Sequence, residues 1–138
     1  MLERYLEVTF AIVGALWLSS SLISSFNSYR YLKKNLGSIS NLLFGDTKHF
    51  SKLDLSSFFL IETTIGMIEA LRFRELIVLK KKQIFVDQQF FLAPNLDDKK
   101  LKVLLMEHGI WYKKVIKNLV YSCFCMLILG RIYLFLRY

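Results

Sequence analysis

Proline is almost missing from this 138-residue chain, which has one (Pro94) beside six glycines, two cysteines and four alanines. So little Pro and Gly excludes a collagen-like or low-complexity chain, and 54% hydrophobic residues excludes disorder. The two cysteines, Cys123 and Cys125, stand two positions apart inside an apolar run. They supply neither a disulfide framework nor a CxxC zinc pattern, which excludes a secreted, disulfide-stapled scaffold. The chain also lacks a GxSxG nucleophile turn, a Gly-rich phosphate loop before a helix, an HExxH pair and a DxD pair. The expectation is a non-catalytic protein with no cofactor. Acidic groups are the scarcer charge, 11 against 19 Lys and Arg, for a net charge of +8. On a chain of mean hydropathy +0.39, that excess points to an anionic membrane surface and not to nucleic acid.

What the chain has in abundance is long uncharged apolar sequence. Val8 to Tyr29 holds 22 residues without a formal charge. At about 1.5 Å per residue this crosses a hydrocarbon core of roughly 30 Å. The preceding Met1 to Glu7 carries two Glu and one Arg and so lacks the basic start of a signal peptide, which favours a retained anchor. A second span is expected over residues 118–136. Asn118 to Gly130 is uncharged, and Ile132 to Leu136 resumes the apolar run after Arg131, whose side chain can snorkel to the headgroups. Trp111 and Tyr112 before this span, and Tyr133 and Tyr138 at its end, stand where aromatic belts form.

The middle of the chain is apolar but interrupted. Leu55 to Leu79 contains Glu62, Glu69, Arg72, Arg74 and Glu75, and each charge at a bilayer centre costs about 2.5–3.5 kcal/mol. On a helix Glu62 and Glu69 fall within about 20° of each other, with Arg72 about 60° further round and Leu60, Met67, Leu71 and Val78 on the opposite side. The segment therefore reads as an amphipathic helix lying in the interface or against other proteins, in preference to a third crossing. Asn35 to Asp54, with Gly37, Gly45 and several Ser and Asn, reads as a loop holding at most a short helical turn. Ile84 to Leu92 is compatible with two short strands or with more helix. Pro94 ends whatever precedes it, and Asn95, Asp97 and Asp98 supply a cap and an acidic first turn. Leu101, Leu104, Leu105, His108, Trp111, Val115 and Leu119 then keep a 3.5-residue rhythm, predicting one long helix over 97–138. The expected fold is an all-α integral membrane protein, a single domain of residues 1–138. It comprises a hairpin of two transmembrane helices (8–29 and 118–136) with an amphipathic helix (55–79) and a loop between them.

Charge near the spans is uneven. Arg30, Lys33, Lys34 and Lys48 follow the first, and Lys99, Lys100, Lys102, Lys113, Lys114 and Lys117 precede the second, against Arg4 and Arg137 at the other ends. Residues 30–117 are expected on the cytosolic or matrix side.

Four groups of residues are candidates for function. Ala11, Ala15 and Ser19, with Gly14 beside them, form a small-residue stripe that lets another helix approach closely. Glu62, Glu69 and Arg72 could form a buried polar pair, or with a third crossing a proton or cation site. Lys80, Lys81, Lys82, Lys99, Lys100 and Lys102 could hold anionic lipid such as cardiolipin, or merely set topology. His49 and His108 are weak candidates for haem or metal, with no accompanying ligand pattern. The side chains of Cys123 and Cys125 lie about 200° apart on a helix, unsuited to a shared metal or disulfide. Few Ala and Pro among abundant Phe, Leu, Ile, Ser and Lys suggest an AT-rich coding sequence, such as that of an organelle.

The functional expectation is an accessory subunit of a mitochondrial inner-membrane assembly, a respiratory complex or ATP synthase, partnered by other membrane subunits. An independent membrane-shaping or lipid-binding hairpin is the alternative, and an ion- or proton-conducting subunit using Glu62 and Glu69 is the third reading. The topology is checked by single cysteines in a cysteine-free background. Labels at Ser38 and Asn95 should react only from the cytosolic or matrix face, and one at Leu2 from the other. Labelling of Ser38 and Asn95 from opposite faces would establish three crossings.

Overall fold

A computed structural model of the chain describes residues 1–45, 52–80 and 93–138. The described residues are helical and include no strand. In order they form α1 (Leu2–Phe44), α2 (Leu55–Phe73) continued by a π-helical turn (Arg74–Val78), α3 (Asp98–Glu107) and α4 (Gly109–Arg137). The strand-or-helix expectation for Ile84 to Leu92 falls outside the described residues. The chain divides into two compact units, Met1–Asn27 with Lys117–Tyr138, and Ser28–Ile116.

The first unit consists of the apolar parts of α1 and α4, each long and apolar enough to cross a membrane. The most apolar stretches of these helices are 0% and 6% buried. A core helix of a water-soluble domain would bury such residues; here Leu22 and Leu127 are each 70% exposed. The two helices touch through Ser21 and Ser122, whose hydroxyls lie 3.3 Å apart. Half-buried Leu6, Val13, Trp17, Ser20 and Ser24 mark the covered side of α1. Cys125 is buried and Cys123 exposed, as their helical separation requires.

The second unit overturns the first part of the loop expected over Asn35 to Asp54, of which residues 46–51 lie outside the described residues. α1 continues to Phe44 because Leu32, Leu36, Ile39 and Leu43 recur at helical spacing and are all buried. That burial outweighs the weak propensity of the Gly and Ser between them. The helix is not uniform: Asn35 leaves helical geometry (φ −114°, ψ 18°), and its Nδ2 donates to the carbonyl of Tyr31 at 3.0 Å. It terminates at Gly45, whose φ of +72° is the left-handed conformation that ends many helices. The N–H of Gly45 bonds to the Asn41 carbonyl at 3.0 Å, and Asn95 Nδ2 reaches the same oxygen at 3.0 Å.

α2 begins at Asp54, whose carboxylate accepts the Ser57 N–H at 2.6 Å. Its buried residues Phe58, Ile61, Ile65 and Ile68 form one apolar stripe. Leu60, Met67 and Val78, the apolar side marked by the sequence, are exposed. α2 therefore carries two apolar faces, with the Glu62 and Glu69 edge between them.

The single long helix expected over 97–138 is also corrected. Asp97 caps α3 by accepting the Lys100 N–H at 2.7 Å, but α3 ends at His108 (φ −120°, ψ 19°) and α4 restarts at Gly109. Periodicity alone misses this break because the apolar rhythm runs through it without a change of phase.

Gly45→Ala tests the junction between α1 and Asn95. A Cβ there would lie 2.8 Å from Asn95 Cγ, on a backbone that L-residues adopt at a cost of about 1–2 kcal/mol. Thermal unfolding in detergent should show a loss of at least that size, and an unchanged midpoint would mean the turn relaxes freely.

Candidate functional site

Within the second unit α1 runs antiparallel to the α3–α4 segment. The pairs Ser28–Trp111, Tyr31–His108, Ser38–His108 and Asn41–Asn95 ascend one strand of sequence as they descend the other. Each pair places polar groups at a contact between apolar residues, and the polar side chains of the unit gather at three nodes.

The first node joins three helices. The indole N–H of Trp111 donates to Ser28 Oγ at 2.9 Å, and the Ser28 hydroxyl donates to Glu62 Oε1 at 2.8 Å. Ser28 and Trp111 are buried and Glu62 half-buried. Burial pushes the Glu62 carboxyl above its ordinary value, and the Ser28 bond opposes this in part. A serine beside a carboxylate invites comparison with an activated nucleophile. Here the indole N–H occupies the Ser28 oxygen and the group is 8% exposed, so the arrangement locks orientation.

The second node is Glu69, whose Oε2 accepts the Tyr112 hydroxyl at 2.7 Å and lies 3.5 Å from Arg72 Nη1. Both charged side chains are about one-third exposed, and one shared contact at that length contributes little by itself.

The third node is His108, which is 6% exposed. Its Nδ1 lies 2.8 Å from Tyr31 Oη and its Nε2 3.0 Å from Ser38 Oγ. A neutral imidazole donates from one nitrogen and accepts at the other, so two hydroxyls satisfy it completely. Burial holds its value below the ordinary range, with Glu107 acting weakly in the other direction. Tyr31 also stacks on Trp111, ring centroids 5.8 Å apart and planes 12° from parallel, which links the third node to the first.

The structure distributes the sequence candidates unequally. Glu69 and Arg72 meet each other, whereas Glu62 is held by Ser28. Ala11, Ala15 and Ser19 are exposed on the side of α1 opposite its covered stripe, and the half-buried Gly14 has no atom within 4 Å of where a Cβ would stand. Lys100 Nζ is engaged by the Asn95 carbonyl at 2.9 Å and Lys102 approaches Asp98 at 3.6 Å, while Lys80 and Lys99 are exposed. Lys81, Lys82 and His49 lie outside the described residues. Both nitrogens of His108 face hydroxyls, which leaves neither directed at a metal or haem. Among the described residues no group of three or more His, Cys, Asp or Glu is placed to hold a metal ion. Sequence reasoning missed Ser28, Tyr31 and Ser38 and gave Trp111 and Tyr112 no hydrogen-bonding role, reading both as belt residues and Trp111 also as part of the apolar rhythm. A signal was present, since Ser28, Tyr31, Asn35 and Ser38 recur at helical spacing, but it lay inside a segment read partly as span and partly as loop.

Ser28→Ala leaves the Trp111 N–H and the Glu62 carboxyl without this partner. At about 1–3 kcal/mol for each buried group left unsatisfied, thermal unfolding should show one of the largest losses of any single hydroxyl in the chain. The pH dependence has two opposing limbs. Glu62, raised in the folded state, contributes stability that is full below about 4.5 and is lost as pH rises through its folded value. His108, lowered in the folded state, contributes above about 6.5 and loses that contribution as pH falls through its folded value. Glu62→Gln should abolish the first limb and leave stability falling on acidification. His108→Gln should leave stability rising instead, and identical profiles for the two variants would refute the assignment.

Compared with known protein families, curated proteins and solved structures, the chain matches none.

Proposed function

We propose that the chain is a non-catalytic accessory subunit of a larger membrane assembly, anchored by a two-span hairpin of α1 and α4. The observation that carries this reading is the free side of α1. Ala11, Ala15 and Ser19 recur every fourth residue, are exposed, and face away from the stripe that α1 covers. In lipid, where no hydrophobic force drives helices together, close backbone approach over small residues is the main source of association. The open space beside Gly14 offers room for that approach.

Other features support the same reading. The apolar surfaces of α1 and α4 are exposed in the isolated chain and require lipid or neighbouring helices as cover. The polar nodes are engaged in joining helices of this chain, which suits a structural part. The basic excess over residues 30–117 supports placing that segment on the cytosolic or matrix side. The coding bias of the composition favours a mitochondrial inner-membrane assembly as the setting.

Purification through a C-terminal tag in mild detergent, with mass spectrometry of co-purifying subunits, tests the assembly directly. Ala15→Leu adds bulk on the free stripe and should release the chain from its assembly on native gels while leaving insertion intact. Thr9→Leu adds bulk elsewhere on the exposed surface of α1 and should be retained. Equal retention of both variants would show that the stripe faces lipid.

A further inference from the structure

The outer face of α2 plays no part in the accessory role just described. Phe59, Leu60, Met67 and Phe73 are between 40% and 60% exposed there. The placement of the helix limits what can cover them. Phe58 packs edge-on against Tyr29 at 5.5 Å, Glu62 bonds to Ser28, and Glu69 bonds to Tyr112. These contacts cover eleven residue steps of α2, about 16 Å of helix. On α1 they meet Ser28 and Tyr29, and Ser28 itself bonds to Trp111, the neighbour of Tyr112. Within the second unit these contacts hold α2 to Ser28 and Tyr29 of α1 and to Tyr112 of α4. In the sequence these residues stand where the uncharged run of α1 ends, at Tyr29 before Arg30, and where Trp111 and Tyr112 precede the apolar run of α4. Tryptophan and tyrosine at span ends mark the headgroup region.

The charges around the face agree with this placement. Lys52 precedes α2, Arg74 and Lys80 follow it, and all three are exposed. The acids Glu62 and Glu69 turn toward Ser28 and Tyr112, and Asp54 is committed to the N-cap. An apolar face with cations at its ends and with Asp54, Glu62 and Glu69 engaged inside the chain matches a helix seated at the boundary of headgroups and acyl chains.

We propose that α2 binds an anionic bilayer surface, seating Phe59, Leu60, Met67 and Phe73 among the lipids while Lys52, Arg74 and Lys80 meet the headgroups. The proposal rests on reading α1 and α4 as spans and is independent of which assembly the chain joins. The test uses the full chain, with both cysteines replaced by alanine and a nitroxide label at Met67→Cys. The protein is reconstituted in phosphatidylcholine vesicles with or without phosphatidylglycerol, and a second label at Leu22→Cys reports on the α1 span.

Power-saturation measurements should show the Met67 label colliding several-fold more with oxygen than with a water-soluble nickel chelate. The preference should weaken without phosphatidylglycerol, and also when Lys52, Arg74 and Lys80 are changed to Glu. A Met67 label open to the nickel chelate, or shielded from both reagents by protein, overturns the proposal while a lipid-exposed Leu22 label upholds the spans. Equal immersion in both vesicle types overturns the requirement for anionic lipid. Nickel access at Leu22 as well overturns the spans and the proposal together.

Discussion

The way α1, α2 and α4 meet in the second unit depends on one serine hydroxyl. Ser28 accepts from Trp111 and donates to Glu62, so a single oxygen ties α1, α4 and α2 together. Its direction is set on both sides: an indole can only donate and an ionised carboxylate can only accept. A larger side chain would keep the three helices apart, and a smaller one would leave a buried N–H and a half-buried carboxyl without this partner. In low dielectric such unpaired groups are costly, and the same cost makes a fully paired set specify one arrangement.

The two irregular points in the long helices belong to this arrangement. α1 departs from helical geometry at Asn35 and the α3–α4 segment departs at His108. Between these departures His108 inserts its ring between Tyr31 and Ser38, seven residues apart on α1 and on either side of Asn35. Two turns of a straight helix span about 10.5 Å, so one imidazole serving both hydroxyls depends on side-chain reach and on the local departure at Asn35. The breaks thus coincide with hydrogen bonding across the pair at His108 and within α1 at Asn35.

α2 shows why hydrophobic patterning alone did not reveal its orientation. Its apolar residues cover more than half its circumference, so two different faces could have been buried. The choice fell to the polar edge, because Glu62 and Glu69 each find a partner only when Ile61, Ile65 and Ile68 turn inward. The remaining apolar face is then exposed. In water such a surface would promote aggregation, and beside a bilayer it is an adhesive face.

Long uncharged runs, the cap at Asp97 with the acidic first turn at Asp98, and the helical spacing of Leu55 to Leu79 were legible from the amino-acid order, because length, charge and periodicity are local properties. The α1 extension to Phe44 was not legible. Its Gly and Ser argue for a loop, and only burial of Leu32, Leu36, Ile39 and Leu43 against residues distant in sequence outweighs that propensity. The break at His108 was hidden for a similar reason: apolar periodicity continues through it, and the ring's partners lie 70 and 77 positions away. Composition thus marked two helices long and apolar enough to cross a membrane and the helical elements the chain uses. Tertiary contact decided which face each helix presents, because a hydroxyl, an indole and a carboxyl constrain a fold only once packing brings them within hydrogen-bond reach.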